Sequence, residues 1–346
     1  MRGSVYIAYT GGTIGMTRTP SGYAPAPGLL EARMRDMPEL RSDPVPSFTV
    51  HEYDMLLDSA NMTPADWNAI AEDIAANYAK HDGFVVLHGT DTMAYTAAAL
   101  SFMLEGLAKP VVVTGSQIPI GEIRNDARAN LITSLLVAGM HDVAEVCLCF
   151  HGKLLRGNRA VKVNATGLDA FDSPNYPPLG DIGIGIEIHR DRVRGCAGVP
   201  FRLQRCSPGA VAALRLFPGI SPAVVANALQ PPLQGLVLEC YGVGNAPDRN
   251  RDLLAALGEA SGRGVVIVDV TQCLRGRVDL SGYAAGSALA EVGVISGHDM
   301  TVEAALAKLL YLFGCGLAPE DVKREMQRDL RGELTPPASA EVRRFS

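Results

Sequence analysis

Ser4-Val5-Tyr6-Ile7-Ala8-Tyr9 runs directly into Thr10-Gly11-Gly12-Thr13-Ile14-Gly15. The first six residues are short, apolar and rich in aromatic and β-branched types, the pattern of a buried strand. The glycine pair permits a tight turn and lets a ligand approach the backbone. The same grammar recurs down the chain. Residues 83–88 (Gly83-Phe84-Val85-Val86-Leu87-His88), 110–114 and 145–150 read as further strands. Residues 64–80, 91–107 and 125–140 read as helices, the first with Thr63 as N-cap and Pro64 at the first helical position. Strands alternating with helices predict βαβ units and a mainly parallel sheet covered on both faces.

The alternation weakens over residues 193–208, where Arg, Cys, Gly and Pro mix without a period. A linker is therefore expected at 191–210. It would join an N-terminal α/β domain, 1–190, to a smaller C-terminal α/β domain, 211–346. In the latter, residues 210–216, 235–240 and 264–270 read as strands, and 222–228, 249–261 and 301–313 as helices. The tail after Leu334, with Pro336-Pro337, is expected to fray. The chain length of 346 residues fits two domains at roughly 150 residues each.

Composition removes several function classes. With 47% hydrophobic and 20% charged residues, the chain has ample material for a core, which excludes global disorder. Acidic residues outnumber basic ones, 37 to 31, and no dense Lys/Arg run occurs, which argues against general nucleic-acid binding. No apolar stretch reaches the roughly 18–20 residues of a membrane span. The N-terminal apolar run is too short for a signal-peptide core, so the cytoplasm is the expected location. The seven cysteines are odd in number and scattered, with no metal-ligand spacing, and read mostly as small apolar fillers.

In open α/β sheets, ligands sit beyond the carboxyl ends of the strands. The residues at those ends in this chain are small and hydroxyl-rich. The first loop is neither a phosphate-binding Gly-Lys-Ser/Thr loop nor a dinucleotide fingerprint. It carries a threonine on each side of its glycine pair, and a hydroxyl becomes a nucleophile when a base takes its proton. The second loop is His88-Gly89-Thr90-Asp91-Thr92-Met93. Taken alone, Thr90 or Asp91 reads as a helix cap. Two such loops in one domain favour chemistry, with helix-start N–H groups available to an oxyanion. The third segment is Asn158-Arg159-Ala160-Val161-Lys162-Val163-Asn164, with Asn175 and Tyr176 further along. Lys162 between two valines is a candidate for proton transfer, because desolvation lowers a lysine pKa.

Together these segments resemble the bacterial-type L-asparaginases. Thr10-Gly-Gly-Thr-Ile-Gly matches the first family signature and His88-Gly-Thr-Asp-Thr-Met the second. Val161-Lys162-Val163-Asn164, with residues 173–180, is similar to the lysine segment. Thr271-Gln272-Cys273 and residues 297–305 resemble the cytoplasmic type I branch. The resemblance reaches Arg331-Gly332-Glu333-Leu334-Thr335-Pro336 and so covers nearly the whole chain. It implies a two-domain asparaginase-like α/β fold, with a larger N-terminal, mainly parallel sheet flanked by helices and a smaller C-terminal α/β domain.

The resemblance also implies roles. Thr13 falls on the nucleophile, and Tyr23, in Ser21-Gly22-Tyr23, on its partner in a mobile lid. Thr90, Asp91 and Lys162 fall on a relay, with Asp91 also holding the substrate α-ammonium. Asp58-Ser59-Ala60 falls on the grip for the α-carboxylate, with Ser59 as donor. Gly12 and Gly89 are expected against the substrate. Ser116 falls where a backbone carbonyl meets the leaving amide, and Asn245 where a residue reaches the α-ammonium across a subunit interface. The implied reaction is hydrolysis of the L-asparagine side-chain amide to L-aspartate and ammonia. It uses no metal or organic cofactor and carries a weak glutaminase side activity. A homodimer or homotetramer is implied. Cys273 matches an asparagine effector site of some relatives, but Glu239 stands where allosteric relatives carry arginine, so that form of activation is expected to be weak or absent.

Two other readings compete. The amidase subunit of a tRNA-dependent amidotransferase would be expected to carry an added N-terminal domain, and this chain starts at the first strand. An amino-acid sensor built on an inactive scaffold would be expected to lack a catalytic group, and Thr13, Tyr23, Thr90, Asp91 and Lys162 are all present.

Overall fold

The computed structural model describes residues 3–20, 22–195, 198–282 and 284–336. Ser21, Cys196 and the tail from Pro337 onward lie outside the described residues. The chain divides into two compact units, residues 1–206 and 207–346.

In the first unit, β1 (Ser4–Gly11) leads to a hairpin of β2 (Met16–Thr19) and β3 (Gly22–Pro25). Helix α1 (Leu29–Arg35) and the long strand β4 (Ser47–Leu57) come after it. Next are α2 (Pro64–Asn77), β5 (Gly83–Leu87), α3 (Met93–Met103), β6 (Leu104–Glu105) and β7 (Val111–Thr114). The chain continues through α4 (Ala127–Met140), β8 (Val146–Phe150) and β9 (Lys153–Arg156). The short strands β10 (Val161–Lys162), β11 (Phe171–Asp172), β12 (Gly180–Ile182), β13 (Ile186–Ile188) and β14 (Arg202–Leu203) complete it.

The main sheet runs in the order β13-β12-β9-β8-β7-β5-β1-β4. The pairs from β8 across to β4 are parallel, and β9, β12 and β13 extend the sheet antiparallel. Strands β5, β7 and β8 are buried along their whole length, which is why they read as unbroken apolar runs. Edge strand β4 escapes that reading because its residues are half exposed and include Ser47, Thr49, His51, Glu52 and Asp54. Helix α2 starts as its sequence predicts, with Thr63 as N-cap, Pro64 first, and the Asp66 carboxylate reaching back to Thr63 N at 2.8 Å.

One expectation is corrected. The helix expected over 91–107 spans only Met93–Met103, with Thr92 as N-cap, so neither Thr90 nor Asp91 is a cap. It ends early because Leu104–Glu105 becomes a strand paired with Arg202–Leu203. Arg202 also donates two hydrogen bonds to Glu105 Oε2, at 2.8 and 2.6 Å, so this part of the stretch expected as linker is anchored in the first unit.

The second unit holds β15 (Val211–Arg215), α5 (Pro222–Ala228), β16 (Gly235–Cys240), α6 (Arg251–Gly262) and β17 (Val266–Thr271). It ends with helix α7 (Ala284–Glu291), β18 (Ile295–Ser296), α8 (Val302–Gly314) and α9 (Pro319–Met326). Its four strands are parallel, in the order β15-β16-β17-β18.

Asp269, in the middle of β17, is fully buried, and neither carboxylate oxygen has a hydrogen-bond partner among the described residues. Burial pushes its carboxyl up from 3.8 to about 7, slightly opposed by the Cys240 thiol on the neighbouring strand. Between those values the folded chain keeps a proton that the unfolded chain has released. Stability therefore falls as pH rises through that window and stays low above it. The displacement corresponds to a penalty on the order of 4 kcal/mol once the group is charged. Asp269→Asn keeps the shape and cannot ionise. Its melting temperature is expected to exceed the wild-type value by a wider margin at about pH 8.5 than at about pH 5. An equal margin at both pH values would refute this assignment.

Candidate active site

Three loops meet beyond the carboxyl ends of β1, β4 and β5. They meet backbone to backbone. Gly12 has φ 87°, and its N–H donates to Leu57 O at 3.1 Å. A Cβ at Gly12 would stand 2.3 Å from Gly89 N, and one at Gly89 would stand 2.4 Å from Ser59 Oγ. No side chain fits at either glycine, which is the physical reason for both.

Ser59 is buried and joins the second loop to the β4 end. Its Oγ accepts from Asp91 N at 3.3 Å, and its carbonyl accepts from Thr92 Oγ1 at 2.8 Å. Asp58 is exposed and its carboxylate caps Ala60 N at 3.1 Å. Thr13 lies in a short 3-10 turn over Thr13–Gly15, partly exposed, and its hydroxyl makes no hydrogen bond to the described residues.

Opposite stands a polar chain. Lys162, on β10, donates to Thr90 Oγ1 at 2.9 Å and to Asp91 Oδ1 at 2.7 Å. Thr90 in turn donates to Gln117 Oε1 at 3.0 Å. The Gln117 amide cannot be reversed, because its Nε2 donates to Ala165 O and Gly167 O at 3.3 and 3.1 Å. Lys162 is therefore the donor and Thr90 the relay point, with its proton aimed at glutamine. Sequence reasoning missed Gln117. Its signal was position, directly after a strand in Thr114-Gly115-Ser116-Gln117, the same logic that found the other loops. Asp126 secures that turn by accepting from Gln117 N and Ile118 N, both at 3.0 Å. The Ser116 hydroxyl is spent locally on Ile118 O at 2.7 Å.

Tyr23 stands on β3 in the hairpin opposite Arg18, 43% exposed. Its hydroxyl donates to Glu122 Oε1 at 3.0 Å, and the structure does not bring it onto Thr13. In the second unit, Asn245 closes a tight turn by exchanging backbone hydrogen bonds with Tyr241 at 2.8 and 2.9 Å. Cys273 is exposed, and Glu239 is held by Arg215 on the adjacent strand at 3.3 Å. Among the described residues, no group of three His, Cys, Asp or Glu could hold a metal.

This arrangement, a threonine whose hydroxyl is unbonded among the described residues on one of two packed glycine loops and a Lys-Thr-Asp cluster at the other, belongs to a recognisable class. Residues 4–194 match the family model described as asparaginase, N-terminal, and residues 210–326 that of the glutaminase/asparaginase C-terminal domain. The chain belongs to the asparaginase family. It is 52% identical over 333 residues to L-asparaginase 1 of Escherichia coli (strain K12), covering 96% of this chain and 98% of that one. The solved structure of L-asparaginase I from Vibrio cholerae superposes with a TM-score of 0.90 at 52% identity, covering 97% of this chain and all of that one. The thermostable L-asparaginase from Thermococcus kodakarensis superposes with a TM-score of 0.86 at 35% identity, covering 96% of this chain and all of that one.

Proposed function

We propose that this chain hydrolyses the side-chain amide of L-asparagine, with Thr13 as nucleophile and Thr90, Asp91 and Lys162 as the assisting group. The single observation that carries this reading is the Lys162 ammonium bridging Thr90 and Asp91 at 2.9 and 2.7 Å, on a loop packed against the one that carries Thr13. In this reading Thr13 Oγ1 attacks the amide carbon, and backbone N–H groups at Thr13 and Thr90 hold the oxyanion. The amide nitrogen takes up the proton that the Thr13 hydroxyl gives up and leaves as ammonia. Water then releases aspartate and restores the Thr13 hydroxyl. Lys162 serves first as a donor that polarises Thr90. It becomes a base only after surrendering a proton and after the Thr90 hydroxyl turns away from Gln117.

The Asp58-Ser59-Ala60 segment holds the α-carboxylate, with the Ser59 hydroxyl as donor, and Asp91 holds the α-ammonium. Gly12 and Gly89 give the substrate close access, and the Ser116 carbonyl faces the departing amide. Tyr23 reaches Thr13 only after its hairpin leaves Glu122. Asn245 completes the α-ammonium site from a second subunit, which makes the working form a homodimer or homotetramer. The working location is the cytoplasm, and no helix among the described residues is long and apolar enough to cross a membrane. Glutamine is one methylene longer, worth only about 1–3 kcal/mol of discrimination, so a weak glutaminase activity accompanies the main one.

The test is ammonia release against L-asparagine concentration, with L-glutamine as comparison. Robust release from asparagine along a hyperbolic curve is expected. A carboxylate at Glu239 repels the effector carboxylate that an arginine would hold, and Arg215 only partly offsets it. A sigmoidal curve made hyperbolic by Cys273→Ala would refute the loss of effector control. Protein that binds asparagine and releases no ammonia would replace the hydrolase reading with that of a sensor.

A further inference from the structure

His88 takes no part in the hydrolysis steps, yet it lies fully buried at the end of β5 beneath the second loop. Its ring bonds can be assigned without ambiguity. Nδ1 lies 2.7 Å from Gly89 O, and Nε2 lies 2.9 Å from Thr96 Oγ1. A carbonyl only accepts, so Nδ1 carries the proton. Burial lowers the pKa of His88 to about 4, so near neutral pH the ring is uncharged and Nε2 is a bare acceptor. The Thr96 hydroxyl must then donate to Nε2. Thr96 Oγ1 in turn accepts from Trp67 Nε1 at 3.0 Å. The line Trp67, Thr96, His88, Gly89 is a run of hydrogen bonds with one direction, starting in α2 and ending on a backbone carbonyl.

That carbonyl shares a peptide unit with Thr90 N. The bond is trans, since the cis bonds among the described residues precede prolines. In a planar trans peptide the C=O and the following N–H point opposite ways. A Gly89 carbonyl drawn inward by His88 therefore turns the Thr90 N–H outward. No described residue accepts from that N–H. Gly12 packs against the preceding His88–Gly89 peptide and the Gly89 Cα, on the N-terminal side of that unit.

We propose that His88 is a positioning residue that, through the Gly89 carbonyl, aims the Thr90 N–H at the oxyanion formed during amide hydrolysis. The proposal rests on the hydrolase reading and goes beyond it by assigning the group that sets the donor's direction. Aim matters in the transition state more than in substrate binding, so loss of His88 should act on kcat and spare KM.

The experiment compares steady-state ammonia release by wild type, His88→Leu and His88→Asn, together with the ¹⁵N spectrum of the His88 ring in wild-type protein. His88→Leu is expected to lower kcat on the order of 10²-fold with KM within about threefold, the scale of a lost oxyanion donor. Asparagine presents an N–H close to the Nδ1 position, so His88→Asn is expected to regain most of that loss. The spectrum should show a proton on Nδ1, a bare Nε2 and no titration between about pH 5.5 and 8.5.

Three results would overturn the proposal: a leucine variant that retains kcat within about threefold, equal losses in the two variants, or a ring protonated on Nε2. Should the leucine variant fail to fold, the wild-type spectrum and the asparagine variant decide. Absence of ammonia release by wild-type protein would instead overturn the hydrolase reading, before any variant is compared.

Discussion

Thr13→Ala is expected to lower kcat for asparagine by about 10³-fold or more, and Lys162→Met by about 10²–10⁴-fold, without unfolding the protein. In the proposed mechanism the first substitution removes the attacking oxygen, while the hydroxyls of Thr90 and Thr10 are bonded elsewhere, to Gln117 and to Leu87 O. The second removes the cation between Thr90 and Asp91 and leaves a carboxylate without its partner. Asp91 is 62% exposed, so water solvates it and the stability change should stay within about 1 kcal/mol. Activity lost with the melting temperature preserved is therefore the expected signature. Ammonia release and thermal melts on the same preparations check it. A Thr13→Ala enzyme retaining a tenth of wild-type kcat would remove Thr13 from the mechanism.

Lys308→Met in α8 is expected to destabilise the second unit by about 3–5 kcal/mol. The Lys308 ammonium and the Glu333 carboxylate are both fully buried and bonded to each other. Lys308 also donates to Met326 O and Arg328 O, while Glu333 accepts from Leu330 N and Arg331 N. Removing one charge strands the other in a dry interior, which costs more than the pair itself contributes. Replacing both partners with apolar residues should recover much of the loss. The single tryptophan, Trp67, lies in the first unit, so its fluorescence reports only that unit. In urea, the circular dichroism of Lys308→Met should fall before the Trp67 signal moves. Coincident transitions at the wild-type midpoint would sink the prediction.

The alternating strands and helices were legible because their burial is extreme. A strand such as Val111–Thr114, buried at every residue, writes an unbroken apolar word. Strand β4 was not legible, since one face meets solvent and its polar residues mask the period. The catalytic candidates were legible for a different reason. Glycines and hydroxyls at strand ends are conspicuous where an ordinary turn would serve, and Gly12, Thr13, Gly89, Thr90 and Asp91 fall in two such clusters. Gln117 and His88 escaped because their importance lies in which groups they touch. One is fixed by carbonyls of residues 165 and 167, far along the chain, and the other by Thr96 a helical turn inside α3. Pairings across such distances leave no local period to read.

The contact of Gly12 with Gly89 has a mechanical consequence. Most cavities are bounded by side chains, whose rotamers exchange in nanoseconds and let the walls breathe. Here the two loops rest on one another through main-chain atoms, which have no rotamers. The spacing between the Thr13 loop and the Thr90 loop is thus set by bond lengths and van der Waals radii. The floor of the candidate site behaves as a rigid gauge block, and in the proposed mechanism the freedom needed to admit and release a small amino acid is left to the hairpin that carries Tyr23.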